Sequence, residues 1–344
     1  MTQGKFVKDV KVNNKKLNMT KDIKVSIIIP AYNASLYISE TLDATLQQTY
    51  KNIEIIIVDD SSTDDTWSII SNYSIRFPNL IKVFKNKRKG ACAARNYGFE
   101  LSSGDYIQYL DADDILSENK LSTEVELLMS FKDSQSIALS KWYHFDNVIE
   151  DYKVNNQLVY RDYSPAYKIL IDMWTEGEMI QTSCWLTPRT IIESIEGWNE
   201  DFKSNPTDDS EFFTRVVLKS SKIIFDNTGI VYYRRPKSEN LSQTYNNDAI
   251  KSILNTYISY ELILDLDNSE RVKIALANNY LNFIYQFYAR HLELLELAKE
   301  KFYHLGFKKM WPVGGHRFKK LAIVIGFKNA LIVRFFFRKI NLKI

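Results

Sequence analysis

"KVSIIIPAYNASLYISETLDATLQQTYKNIEIIIVDD" (residues 24–60) reads as strand, helix, strand. Val25 to Ile29 form a β-branched apolar run stopped by Pro30, the mark of a buried strand. Leu36, Ile38, Leu42 and Leu46 then recur at near-helical spacing behind Ser35, a serine placed to cap the helix. Ile53 to Val58 repeats the strand and gives way to Asp and Ser clustered at another helix start. Apart from Ser26 and Glu54 near their starts, both strands are apolar rather than alternating. In a strand–helix–strand unit this predicts parallel strands covered on both faces.

The theme continues outward. "LIKVF" (80–84) is a third strand, "GACAARNYGFEL" (90–101) a helix, and "DYIQYLDADD" (105–114) a fourth strand ending in acid. Past residue 117 the alternation loosens. A helix over 118–131, a strand over 136–145 and a mixed segment to 235 predict an extension of the same sheet, and from Asn246 the pattern turns helical. The expected fold is therefore α/β with a mostly parallel central sheet. Its divisions are a flexible basic arm (1–23), an α/β body (24–245) and a helical C-terminal region (246–344).

Composition agrees with a globular chain: 344 residues, 45% hydrophobic and 25% charged. The two cysteines, Cys92 and Cys184, are too few for a disulfide framework and suit a reduced, cytoplasmic setting. The polar, lysine-rich N-terminus lacks the apolar segment of a signal peptide. The net charge of +3 hides an asymmetry. Residues 301–344 carry 8 Lys and 3 Arg with no Asp or Glu, which leaves the first 300 with 34 basic and 42 acidic residues. A basic tail on an acidic body is expected to meet an anionic surface.

Ligands of parallel sheets bind beyond the carboxyl ends of the strands, where loops and helix N-termini converge. Three polar clusters fall there: Tyr32-Asn33, Asp59-Asp60, and Asp111 with Asp113 and Asp114. Asp59 reads equally well as a cap for the helix starting near Thr63. Asp60 beside Tyr32 suits a nucleobase, the ring for stacking and the carboxylate for an N–H donor. Asp111 and Asp113, spaced D-x-D, can share a divalent cation whose charge offsets their repulsion. Asp114 is expected to cap the following helix. Lys85, Lys87, Arg88 and Lys89, with Arg95 inside an alanine-rich helix, surround a helix start of the kind that favours phosphate. "GWNEDFKSNPTDDSEFFTR" (197–215) places Asp208, Asp209 and Glu211 ahead of an apolar helix, as caps or as catalytic acids. GxGxxG, GKS/GKT, HExxH and GxSxG are all missing from the sequence, so dinucleotide, P-loop, zinc-protease and serine-hydrolase readings lack their signatures.

The order "VSIIIPAYN", "LQQTYKNIEIIIVDDSSTDDT", "GACAARNYG", "GDYIQYLDADDIL", "DDSEFFTR" resembles the family 2 glycosyltransferases with the GT-A fold, from about Val25 to Arg215. The resemblance implies an inverting transfer of sugar from a nucleotide donor, most often a UDP-sugar, to an acceptor hydroxyl. It implies that Pro30, Tyr32 and Asp60 hold the base and that Asp111 meets ribose or metal. Asp113 would bind Mn²⁺ or Mg²⁺, Arg95 would lie near the donor's diphosphate, and Asp209 would be the general base. Asp208 stands where Glu is usual. Many relatives carry Tyr-Arg-x-His in a loop closing over the donor. Here Tyr233, Arg234, Arg235 and Pro236 occupy it, with Arg234 or Arg235 left to reach the diphosphate.

The tail "HRFKKLAIVIGFKNALIVRFFFRKINLKI" (316–344) has an uncharged run only from Leu321 to Phe327, short of the ~20 residues of a spanning helix. Apolar residues mixed with Lys and Arg suit a segment lying on acidic lipid, anchored by Phe335 to Phe337, with packing on the body as the alternative. Nucleic acid is not expected, since no RNA-binding motif accompanies the charge. These readings together predict an enzyme of surface-polysaccharide or lipid-linked glycan synthesis at the inner face of a bacterial membrane. A nucleotidyltransferase is disfavoured because "PAYNASLY" replaces a glycine-rich phosphate loop, and an inactive binding module because Asp113 and Asp209 are intact.

Overall fold

The computed structural model describes residues 23–131, 133–201, 206–235 and 245–339; the expected N-terminal arm lies outside them, apart from Ile23. β1 (Val25–Ala31), β2 (Ile53–Asp59), β3 (Ile81–Lys85) and β4 (Tyr106–Tyr109) are joined through α1 (Ile38–Leu46), α2 (Thr66–Arg76) and α3 (Ala91–Leu101). All pairings among these four strands are parallel, in the order β3-β2-β1-β4. Ile27, Ile28, Ile29, Ile55, Ile56 and Ile57 are fully removed from solvent, each worth about 1.5–3 kcal/mol relative to exposure. After β3 the chain returns to the far side of β1, so the strand order reverses between β1 and β4. A crevice opens at such a point.

The second half of the sheet departs from the parallel expectation. β5 (Ile115–Leu116), β6 (Ser136–Phe145), β8 (Trp185–Pro188) and β9 (Lys222–Arg234) complete the path β4-β8-β6-β9-β5, and β7 (Lys153–Val154) pairs with β6. β8 runs antiparallel to both β4 and β6, β5 antiparallel to β9, and only β6 and β9 are parallel. The connections between these strands are long and carry helices, so crossover length alone does not dictate the antiparallel order. α4 (Lys120–Phe131), α5 (Lys168–Glu176), α6 (Arg189–Ser194) and α7 (Asp208–Lys219) cover this half.

Two expected caps are absent. α1 begins after Tyr37 with no side-chain cap, because the Ser35 backbone N–H donates to Asp64 and holds the serine in the preceding loop. α2 starts at Thr66, too far along for Asp59 to cap; Asp59 accepts from the Ser62 N–H instead.

α8 (Asn247–Ser259), α9 (Glu270–Phe287) and α10 (Leu292–His304) continue the same hydrophobic core, with α9 packed on α5. α11 (His316–Ile325) and α12 (Phe327–Lys339) follow as a helical pair. Phe318, Ala322, Phe327, Ala330 and Leu331 turn inward, whereas Ile323, Val324 and Phe336 are exposed. The tail thus packs on the body along one side and leaves apolar side chains on another. No helix among the described residues is long and apolar enough to cross a membrane.

Candidate active site

The carboxyl ends of β1, β2 and β4 bring the predicted clusters together. The loops after β1 and β2 are laced by short bonds: Asn33 Oδ1 accepts from the Thr63 N–H at 2.8 Å, and Thr66 Oγ1 from the Ala34 N–H at 2.7 Å. Pro30 pairs in register with Val58, and Tyr32, just past the strand, is 61% exposed, a ring with a free face. Asp60 is half-buried beside it. Its carboxylate accepts from the Gly90 N–H at 2.9 Å and Asn86 Nδ2 at 2.8 Å, so it fixes the basic loop between β3 and α3 as well as facing the crevice. Sequence reading did not foresee Asn86, which carries no periodic signal.

At the end of β4 the acidic loop has three different environments. Asp111 takes a hydrogen bond from Arg95 Nη2 at 3.0 Å, and the other end of that guanidinium, Nη1, reaches Asp208 at 2.9 Å. Arg95 is only 6% exposed and lies 4.3 Å over the Trp198 ring. Both ends of its fork are therefore taken by carboxylates, and it ties the end of β4 to the start of α7. Asp113 has no such partner. Among the described residues no side chain donates to its carboxylate, and burial together with the Asp111 charge pushes its carboxyl up to about 6. Asp114 is not a helix cap, because the chain passes into β5 and α4 begins only at Lys120. Instead it is buried, accepting from Ser183 Oγ at 3.1 Å and from the Arg234 N–H at 3.2 Å.

Asp208 and Asp209 form the first turn of α7, where free N–H groups favour negative charge. Asp208 accepts from the Asp209 N–H at 2.8 Å, and Asp209 from the Ser210 N–H at 2.7 Å. Burial, then the adjacent Asp208 charge, nevertheless pushes the Asp209 carboxyl up to about 7, with Asp111 adding to the repulsion. Glu211 points elsewhere, holding Arg215 through two bonds of 2.7 and 2.8 Å. Of the acids "DDSE", two face the crevice and one braces the helix.

Beneath Arg95 lies a layer that sequence reading missed. Trp198 stacks on Phe212 at 3.9 Å, and Tyr109 meets both rings edge-on. Asn96, next to Arg95, clasps the Trp198 backbone with bonds of 2.8 Å in both directions. Gly197, at φ +74, passes so close that a Cβ there would sit 2.6 Å from Asn96 Oδ1, so only glycine fits. The dipeptide Gly197-Trp198 was the available signal. Arg234 and Arg235 are both engaged by carboxylates, Glu40 and Asp146 respectively.

The donors around the crevice suit a hard divalent cation. The loop offers carboxylate oxygen, and among the described residues no side chain donates a hydrogen bond to the Asp113 carboxylate, although the Arg234 charge lies near enough to favour its ionised form. No three His, Cys, Asp or Glu side chains among the described residues converge into a ready cage. That suits Mg²⁺ or Mn²⁺ bound by one or two carboxylates and completed by substrate phosphate and water.

A reversed strand order with polar side chains over its crevice is that of a ligand-binding α/β fold, and it agrees with the GT-A fold that the resemblance implied. Comparison with known proteins agrees. The profile described as glycosyl transferase family 2 matches residues 26–195. Glycosyltransferase GlyG of Streptococcus pneumoniae is 30% identical over 217 residues, 61% of this chain and 70% of its own. The UDP-Glc:alpha-D-GlcNAc-diphosphoundecaprenol beta-1,3-glucosyltransferase WfaP of Escherichia coli is 47% identical over 108 residues, 31% of this chain and 42% of its own, so the match spans under half of that relative. The solved structure of S. aureus TarS 1–349 in complex with UDP-GlcNAc superposes with a TM-score of 0.65 at 18% identity, covering 92% of each chain. The chain belongs to glycosyl transferase family 2, and it is a glycosyltransferase.

Proposed function

We propose that this enzyme moves a sugar from a UDP-sugar to a hydroxyl of a glycan acceptor, with inversion and with Mn²⁺ or Mg²⁺, in bacterial surface-glycan synthesis. The observation that carries the reading is Asp113 at the end of β4, whose carboxylate takes no side-chain hydrogen bond among the described residues, facing the same crevice as Asp209. Tyr32 stacks on the base and Asp60, backed by Pro30, accepts from its N–H. Asp111 and Asp113 hold the cation, which when bound supplies positive charge to the leaving diphosphate. Asp209 takes the proton of the acceptor hydroxyl as that oxygen attacks the anomeric carbon, and a carboxyl raised toward neutrality suits the task. Arg95, with the two ends of its fork on Asp111 and Asp208, holds those carboxylates in place beside the expected position of the diphosphate. One displacement inverts the centre, so no covalent intermediate is needed.

The printed activity of the Escherichia coli relative, on a diphosphoundecaprenol-linked sugar, supports a lipid-linked acceptor here. The exposed apolar and basic side chains of α11 and α12 support attachment to the inner, anionic membrane surface. A panel of nucleotide sugars, scored by thermal shift with Mn²⁺ and with EDTA, tests the donor. Stabilisation by a UDP-sugar that EDTA and Asp113→Ala both weaken is the expected result. Donor binding unaffected by either change would remove the metal from the account.

A further inference from the structure

Arg234 reads in the sequence as an arginine free to grip the donor, and its surroundings point to different work. It ends β9, is 3% exposed, and lies between two rings, with its guanidinium 4.6 Å from the centre of Tyr37 and 4.3 Å from that of Phe145. Nε–H donates to the Asp113 carbonyl at 3.1 Å, and the backbone N–H donates to the Asp114 carboxylate at 3.2 Å. Nη2 carries the remaining link, to Glu40 in the first turn of α1. One side chain thus joins three elements: the strand β9, the acidic loop at Asp113, and the helix that follows the Tyr32 loop.

Among the described residues no side chain donates to the Asp113 carboxylate to orient it, so the orientation comes through its backbone. Arg234 is the only side chain among the described residues that donates to the Asp113 carbonyl. A planar fork held between two rings and fixed to a carboxylate loses little freedom on holding that carbonyl. We propose that Arg234, anchored by Glu40, is a positioning residue that sets the Asp113 carboxylate for cation binding and couples that setting to the start of α1. It acts through the loop and does not touch the donor. The inference rests on the reading of Asp113 as a cation ligand.

The test uses the full chain with Mn²⁺ and UDP as probes, comparing wild type, Glu40→Gln, Arg234→Met and the double variant. Mn²⁺ affinity at saturating UDP is read by electron paramagnetic resonance, and UDP affinity without metal by calorimetry. Arg234→Met is expected to weaken Mn²⁺ binding about tenfold or more, in line with other partners that orient metal ligands. Glu40→Gln should weaken it to a lesser degree, and the double variant should be no worse than Arg234→Met, because Glu40 acts through the arginine. Metal-free UDP affinity should stay at the wild-type value throughout. A fall in metal-free UDP affinity with unchanged Mn²⁺ affinity would place Arg234 on the diphosphate and overturn the proposal. So would unchanged Mn²⁺ affinity in both single variants, and if Arg234→Met does not fold, unchanged affinity in Glu40→Gln decides against it alone. A wild-type protein that binds no Mn²⁺ removes the metal reading first and this inference with it, a failure visible before any variant is made.

Discussion

Asp209 and Asp113 show how environment gives different settings to one residue type. Both are carboxyls raised by burial and by a neighbouring acid, to about 7 and about 6. Asp209 sits at a helix N-terminus with backbone donors, whereas Asp113 lacks any side-chain donor among the described residues. A base must be deprotonated to work, so kcat/KM should rise with pH along a limb whose apparent pKa lies well above an ordinary carboxylate. That pKa is about 7 before any bound cation draws it down. A pH–rate profile flat from pH 5 upward would remove Asp209 from that role. At this scale the sequence was partly legible. The D-x-D spacing and the paired acids of "DDSEFFTR" could be found by eye, but the partners of Arg95, Asp114 and Arg234 could not. Those contacts join residues 16 to 194 positions apart, and no local pattern encodes such distances.

At the scale of elements, the strands read from apolar runs were recovered because a strand buried on both faces leaves an uninterrupted signal. Helix starts were less legible. Ser35 and Asp59 have the chemistry of caps, yet tertiary contacts with Asp64 and Ser62 claimed them. The antiparallel entry of β8 beside β4 left no trace in composition. One element junction makes a measurable prediction. Glu54 of β2 is buried, which opposes its ionisation, but hydrogen bonds from Lys24, Ser26 and Ser103 outweigh that and hold its carboxyl down at about 2. Its folded pKa is below the unfolded one, so its contribution to stability is complete above about pH 4.5 and fades as pH falls toward 2. Glu54→Gln should cost about 1–2 kcal/mol in urea unfolding at pH 7, with the gap to wild type narrowing at pH 4 and below. A gap that stays constant with pH would show that the ionised carboxylate contributes nothing.

At the scale of the whole molecule, charge and shape separate. The acidic body presents its strand ends to a nucleotide sugar, while the tail, with 11 basic residues and no acid from 301 onward, leaves Val324 80% exposed beside lysines. The sequence offered membrane contact and packing on the body as alternatives for the tail; the structure has packing along one side and leaves the other side to be tested. Full-length protein should co-sediment with liposomes containing anionic lipid and lose most of that binding in Ile323→Ser/Val324→Ser/Phe336→Ser or at high salt. Equal sedimentation with neutral liposomes, or no loss in the variant, would exclude the tail as the contact.

The inverting step in the proposed reaction depends most on a single carboxylate, Asp209. The most direct measurement is turnover of the donor selected from the nucleotide-sugar panel, with acceptor present, by wild type and Asp209→Asn, alongside UDP affinity for both. The account predicts a loss of about 10²–10⁴-fold in turnover with UDP affinity essentially unchanged, because the amide keeps the shape and cannot take the proton. Near-normal turnover in Asp209→Asn would contradict it.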